Sequence, residues 1–342
     1  GGTQKAAVYG DFDGDGKADL GVFRPTTAEW FIIQSANGGT TRQFGATNSD
    51  LPVIGDYDGD GKMDYAVYRP STSQWFILQS TAGPIVYSFG GSGDVPIPAD
   101  YDGDFKTDLA VWRPSTSQWF MLRSKDGPFA MQFGGVGMDR PIPADYDGDG
   151  KADLAVFRNP TGQFLVGLSG GGSIVTSLGS PNDVAVPADY DGDGKADLAV
   201  FTPTTARWQV LKSATGVVDD FSFGGSNMEI IPPADYDGDG KADYAVFRKG
   251  TAQWFILQST AGGRATQFGA SNLDVPLTQA IYYRSGAKRG LDNSVAAKAF
   301  NPGGAIDAAA ANEQLATSLT QSRSDAIDQA LNQIGRRRRS RR

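Results

Sequence analysis

Short apolar runs alternate with polar, glycine-rich loops at even spacing along most of the chain. Between residues 95 and 133 the runs are Val95-Pro96-Ile97-Pro98-Ala99, Leu109-Ala110-Val111-Trp112-Arg113, Gln118-Trp119-Phe120-Met121-Leu122 and Ala130-Met131-Gln132-Phe133. An Asp-Gly loop, a Pro-Ser-Thr-Ser turn and a Lys-Asp-Gly-Pro turn separate them, each rich in residues that favour turn dihedrals. The pattern predicts four strands. Trp75-Phe76-Ile77-Leu78 is apolar in succession, which a sheet with one wet face does not tolerate, so both faces are expected to be covered.

The same pattern recurs. Asp-aromatic-Asp-Gly-Asp begins at Asp11, Asp56, Asp100, Asp145, Asp189 and Asp235, with steps of 44 to 46 residues. Twelve residues on come Phe23, Tyr68, Trp112, Phe157, Phe201 and Phe247; nineteen on come Trp30, Trp75, Trp119, Phe164, Trp208 and Trp254. Each unit ends near Phe44, Phe89, Phe133, Leu178, Phe223 or Phe268, all followed by Gly. Four strands, covered on both faces and repeated at this period, predict an all-β β-propeller of six four-stranded blades. The blades are expected to start near residues 5, 51, 95, 141, 184 and 230, with closure by residues 3–10 or 275–284. Seven blades is the alternative if the decayed unit after Phe268 is completed by another segment or another chain, and a parallel β-helix or solenoid is a second alternative whose rungs are usually shorter.

Composition narrows the chemistry. The 342 residues contain no His and no Cys, which excludes Ser-His-Asp and Cys-His nucleophile systems, imidazole or thiolate zinc sites and disulfides. Forty-five glycines without a G-X-Y period fit a turn-rich β protein. No apolar run approaches a membrane span, and the chain opens Gly1-Gly2-Thr3 without Met or a signal-like stretch, the expectation for a soluble, processed or truncated product. The net charge is −8, but 24 of the 39 acidic residues lie in the recurring loops; six bound divalent cations would bring the chain to +4.

Each loop reads D-x-D-x-D-x-x-x-D. Four carboxylates within nine residues repel one another unless a hard divalent cation, which takes six to eight oxygens, gathers them. Positions 1, 3, 5 and 9 offer carboxylates and position 7 a backbone carbonyl, while glycine at position 6 permits the sharp turn. An EF-hand needs Glu at position 12, but Val22, Val67, Val111, Val156, Val200 and Val246 stand there, so position 9 is expected to close the site within a hairpin. Phe105 replaces the position-6 glycine in the third copy, where a left-handed dihedral would be strained, making that the weakest site. The bland alternative is a set of Asp-Gly turns with solvated carboxylates and no metal.

The motif D-[FY]-D-G-D-G-K-[AM]-D-[LY]-[AG]-V-[FY], together with the Phe-Gly ends, resembles the FG-GAP/VCBS repeat family of integrin α-subunit propellers and bacterial surface proteins, over about 80% of the chain. The resemblance implies a β-propeller with structural Ca²⁺ held by Asp at positions 1, 3, 5 and 9. Carried over, the ligands are Asp11, Asp13, Asp15 and Asp19; Asp56, Asp58, Asp60 and Asp64; Asp100, Asp102, Asp104 and Asp108; Asp145, Asp147, Asp149 and Asp153; Asp189, Asp191, Asp193 and Asp197; and Asp235, Asp237, Asp239 and Asp243.

The recurring Trp residues invite a sugar-stacking reading, but a large aromatic at one place in every unit is what an inter-blade core requires. Arg24, Arg69, Arg113, Arg158 and Arg248 form a solvent-facing ring, pair with neighbouring loops or contact a ligand. The propeller is assigned to residues 1–285 and an Ala/Asn/Ser-rich tail to 286–342, with a possible helix over 305–334 and a basic end at 336–342. That end is a solvated tail or, as basic runs of this kind can be, a contact for nucleic acid, anionic lipid or an acidic polymer.

The expected function is a non-catalytic, calcium-stabilised binding, adhesion or surface-assembly module, extracellular or at the cell surface, since sites of this kind need the high calcium outside cells. Its partners would be a protein or glycan at the cell surface, or a second copy through residues 275–335; nucleic acid is not an expected partner. A lectin is the alternative, and a polysaccharide lyase or phospholipase-type hydrolase the weakest, because without His and with the Asp residues bound to metal only Tyr, Lys or Arg remain for acid-base work.

Overall fold

The computed structural model describes residues 7–226 and 228–277. The calls on the tail, 286–342, and on residues 278–285 lie outside the described residues, as does the remainder of the 275–335 self-association segment beyond Leu277. Among the described residues all regular structure is β: six four-stranded antiparallel sheets and no helix, hence none able to cross a membrane.

The second blade shows the plan. Its strands are Leu51–Pro52, Tyr65–Arg69, Gln74–Gln79 and Gly83–Ser88, from the innermost edge to the outermost. The innermost strand is short; beyond it the Val53 N–H donates to the Ala66 carbonyl and Gly55 bridges Asp64 across the mouth of the Asp loop. Antiparallel order places the Asp loops and the third-to-fourth strand turns at one end of the molecule. The second-to-third turns and the inter-blade loops lie at the other.

The first blade is closed by the later of the two expected segments. Its innermost strand is Val275–Pro276, paired with Val22 and Phe23, and Leu277 donates its N–H to the Gly21 carbonyl. Residues 7–10 then lead into the first Asp loop, with Gly10 accepting the Asp19 N–H. The two chain segments thus share one place in the ring. No seventh blade is built by residues 275–277, because they complete the first.

The core lies between blades. Six clusters of buried side chains each join neighbouring blades: Phe23, Trp30 and Ile32 meet Ile54, Met63 and Val67, and at the seam Phe247 and Trp254 of the sixth blade meet Leu20 and Val22 of the first. Directly opposed aromatics stiffen the central strands, with ring centroids 5.2 Å apart for Phe23–Trp30 and 5.1 Å for Tyr68–Trp75. Trp30, Trp75, Trp119, Trp208 and Trp254 are at most 1% exposed, which removes them as ligand platforms. Each donates its indole N–H to the carbonyl of the Phe that ends its own blade: Phe44, Phe89, Phe133, Phe223 and Phe268, at 2.8–3.1 Å. The fourth blade has Phe164 in place of Trp, without an N–H to give, and there the terminal Phe is Leu178.

The Phe-Gly ends and the position-12 valines explain each other. Gly90 has φ +109°, and a Cβ on it would press on both methyls of Val111, a fully buried residue of the next blade. The same contact recurs between Gly269 and Val22 at the seam. Position 12 is therefore an inter-blade packing point.

Replacing Trp75 by Ala removes a fully buried indole and leaves the Phe89 carbonyl without its donor. Chemical denaturation should show a loss of about 3–5 kcal/mol; a loss below about 1 kcal/mol would show that the inter-blade core is not close-packed there.

Candidate metal centres

In the second loop, glycine and turn dihedrals point backbone N–H groups inward at carboxylates. Asp56 Oδ1 accepts from Gly59 N–H at 2.6 Å and Asp56 Oδ2 from Gly61 N–H at 2.8 Å. Asp64 Oδ2 accepts from Tyr57 N–H at 2.9 Å, and its Oδ1 from Ser80 N–H at 2.7 Å. Asp60 takes the Lys62 N–H and the Ser80 hydroxyl, and Asp58 Oδ2 takes the Thr81 N–H. The other loops repeat this plan, including the third, where Phe105 N–H reaches Asp100 Oδ2 at 2.8 Å as the glycines do. Phe105 sits at φ +67°, so the sequence-predicted strain is present and the loop shape is kept against it.

Carboxylate oxygens gather within 4.8 Å of one another in triads: Asp11, Asp13 and Asp15; Asp56, Asp58 and Asp64; Asp100, Asp102 and Asp108; Asp145, Asp147 and Asp153; and Asp189, Asp191 and Asp197. Position 3 carries the decisive feature. Asp58, Asp102, Asp191 and Asp237 each hold a buried Oδ1 that meets no hydrogen-bond donor. Leaving a buried anionic oxygen without a partner is costly. The donor set is entirely oxygen, and an orphaned carboxylate oxygen beside two further carboxylates is the environment a hard divalent cation fits.

Electrostatics agree. Burial, partly offset by the Phe12 and Ser35 N–H bonds and reinforced by neighbouring carboxylates, pushes Asp19 up to about 6; the same causes bring Asp243 to about 6 and Asp64 and Asp108 to about 7. Asp11, Asp56, Asp100, Asp153 and Asp197 are also raised, burial being the largest cause.

One residue of each site is absent from the sequence-based set. Ser35, Ser80, Ser124, Ser169, Ser213 and Ser259, in the turn before the outermost strand, each give their N–H to the position-9 Asp and their hydroxyl to the position-5 Asp. The signal was available, a serine 24 residues after the first Asp in all six units.

The loops are also joined to one another. The position-8 N–H of each loop donates to the backbone carbonyl of the first Asp of the preceding one: Met63 to Asp11, Thr107 to Asp56, Ala152 to Asp100, Ala196 to Asp145, Ala242 to Asp189 and, across the seam, Ala18 to Asp235, at 2.6–2.7 Å. The position-7 lysine stem lies over the position-4 glycine of the preceding loop, as Lys62 does over Gly14 and Lys17 over Gly238.

Two outcomes follow for the metal-free chain. Phe105→Gly should raise stability by about 1 kcal/mol, since glycine adopts the left-handed dihedral without the Cβ clash and Phe105 is 38% exposed, giving up little packing. Thermal melts of the two proteins side by side would check this; an unchanged or lower midpoint contradicts it. The second concerns pH. Asp19, Asp64, Asp108 and Asp243 hold their protons more tightly when folded than at their ordinary 3.8, so the stabilisation from those protons is complete below about pH 4 and lost as pH rises through 6 to 7. In chelator, the melting temperature should fall between those limits, and a rising profile would refute the assignment. Half-buried Asp58 and exposed Asp239, where desolvation is outweighed by hydrogen bonds from Thr81 and from Ser259 and Thr260, are lowered and act in the opposite sense only below about pH 4.

Comparison with known proteins places this geometry. No curated protein matches the chain. Among solved structures, a streptogramin B lyase superimposes with a TM-score of 0.52 at 11% identity, over 79% of this chain and 86% of that one. Virginiamycin B lyase from Staphylococcus aureus gives 0.51 at 10% identity, over 78% and 86%. These likenesses concern the fold. The FG-GAP-like repeat family matches residues 11–67, 100–156, 145–200 and 189–246, the Asp loops and the strands that follow them. With six such loops on six blades, the chain belongs to the FG-GAP-like repeat family.

Proposed function

We propose that this propeller is a calcium-stabilised, non-catalytic binding module that works outside the cell or at its surface, in adhesion or surface assembly, with a protein or glycan as partner. The observation that carries the calcium reading is the buried, donorless Oδ1 of Asp58, Asp102, Asp191 and Asp237, each beside further carboxylates. The ligands would be the Asp residues at positions 1, 3, 5 and 9 of each loop, oriented by the serine of the adjacent turn. Ca²⁺ would supply the positive charge that the crowded carboxylates lack. Millimolar calcium outside cells suits sites of modest affinity, which supports the proposed location.

The non-catalytic reading rests on chemistry. His and Cys are absent from the whole sequence, and the loop carboxylates are engaged by backbone donors and by the proposed ion. The lectin alternative loses its stacking platforms with the burial of the five Trp residues. Four of the five recurring arginines are likewise occupied: Arg24, Arg69, Arg113 and Arg158 each grip a buried Asp.

Calorimetric titration of chelator-treated protein with CaCl₂ should show multi-site binding, with the Asp100 loop weakest because Phe105 strains it. Each site held about a hundredfold above its Kd adds about 2.7 kcal/mol to stability, so the melting temperature should climb steeply with calcium. A melting temperature indifferent to calcium and chelator would reject the proposal.

A further inference from the structure

At the end of the propeller opposite the Asp loops, a second repeated device is intact in four blades and broken in the last two. Arg24, Arg69, Arg113 and Arg158 each present Nε and Nη2 to both oxygens of an aspartate on the innermost strand or just before it, Asp274, Asp50, Asp94 and Asp139, at 2.6–3.0 Å. Those carboxylates are fully buried. In the fifth blade the carboxylate is kept as Asp183 but Thr202 stands where the arginine would be. In the sixth the reverse holds. Arg248 is kept, and Met228 occupies the aspartate's place, its thioether against Gly224 as the Asp139 carboxylate lies against Gly134.

Arg248 is nonetheless held in the pose of its counterparts. Its guanidinium lies 4.9 Å over the Phe255 ring, where Arg24, Arg69 and Arg113 lie 4.3–4.5 Å over theirs, and Nη1 donates to Gln253 Oε1 at 3.2 Å. The side chain is exposed, and among the described residues its Nε and Nη2 meet no carboxylate. Glu229, next to Met228, pairs instead with Lys249 at 3.5 Å. Lys249 itself replaces the proline that follows the arginine in the first three blades, and its carbonyl accepts the N–H of Asn272, beside Leu273, which is 52% exposed.

We infer that Arg248 is a docking point for a carboxylate supplied by a partner protein, an aspartate or glutamate side chain next to an aliphatic residue. The edge that four sister arginines close on an internal aspartate is free and preorganised, and two N–H groups in a fixed fork match two carboxylate oxygens. Leu273 and Lys249 favour an acidic-aliphatic peptide segment over a hydroxyl-rich sugar. This deepens the binding-module reading by naming a partner chemistry on the face away from the proposed ions.

The test uses the full chain in calcium-containing buffer, with acetyl-Asp-Leu-amide as probe and the arginine Nε–H signals followed by NMR. The expected result is a saturable shift of one arginine signal that acetyl-Asn-Leu-amide does not produce. Arg248→Gln should abolish it. Met228→Asp should weaken binding about tenfold or more by supplying the internal carboxylate, with the melting temperature held or raised. No saturable shift in the native protein, or an equal response in Arg248→Gln, overturns the inference; saturation by galacturonate but not by the dipeptide overturns it in favour of an acidic glycan. Calcium stabilisation is read separately from the melting curve, so failure here with stabilisation intact rejects the docking point and leaves the calcium proposal standing.

Discussion

Six backbone hydrogen bonds, each running from one Asp loop to the next, set the terms for the rest of the molecule. Each uses the carbonyl of the residue whose carboxylate heads the loop, so the position of Asp56, for example, is fixed from both sides: its side chain by Gly59 and Gly61, its main chain by Thr107 of the following blade. A loop that relaxed to spread its four carboxylates would have to give up a bond to its neighbour. The ring therefore holds the carboxylates together and out of water, and the raised carboxyls of Asp64 and Asp108 record that burial first and the neighbouring charges second. Carboxylate clustering and ring closure are two descriptions of one element, because the same nine residues do both.

The seam shows how far the constraint reaches. Ala18 bonds to Asp235 as every other position-8 residue bonds to its predecessor, and Phe247 and Trp254 pack on Val22 as though the chain were continuous there. What makes this possible is a division of one blade between two distant segments, Val275–Pro276 for the paired strand and residues 7–10 for the approach to Asp11. Neither segment alone reproduces what residues 51–55 do in the second blade.

Blade number, strand positions and the loops that cluster carboxylates were legible because each rests on a local rule: turn residues, apolar runs and carboxylate spacing within one loop. What escaped was nonlocal. Val111 reads as a missing ligand when only its own loop is considered, and becomes a packing point once Gly90 of the preceding blade lies on it. Ser80 sits two strands from Asp64, yet its constant offset from the loop was visible in the six units. The partner of Arg69, Asp50, lies 19 residues upstream within one blade, but the partner of Arg24 is Asp274, across the seam, where no spacing rule applies.

Departures from the repeat differ in physical kind, and that difference separates drift from use. Phe164 loses the indole N–H, but Leu178 joins it in a well-filled cluster, so the change is absorbed by packing. Phe105 gains a left-handed strain and an exposed ring with no hydrogen bond beyond the one its glycine counterparts make, a cost without a local return. Met228 is a third case. It removes a buried negative charge while its partner keeps the positive one, so the arginine is left without the two strongest bonds of its counterparts, the converse of the fifth blade, where Asp183 stays and Thr202 replaces the arginine. Arg248 instead keeps its stacking ring and its glutamine, and gains a lysine neighbour in place of proline. Preserving the posture of a guanidinium while taking away its internal partner fits selection on what that guanidinium meets from outside.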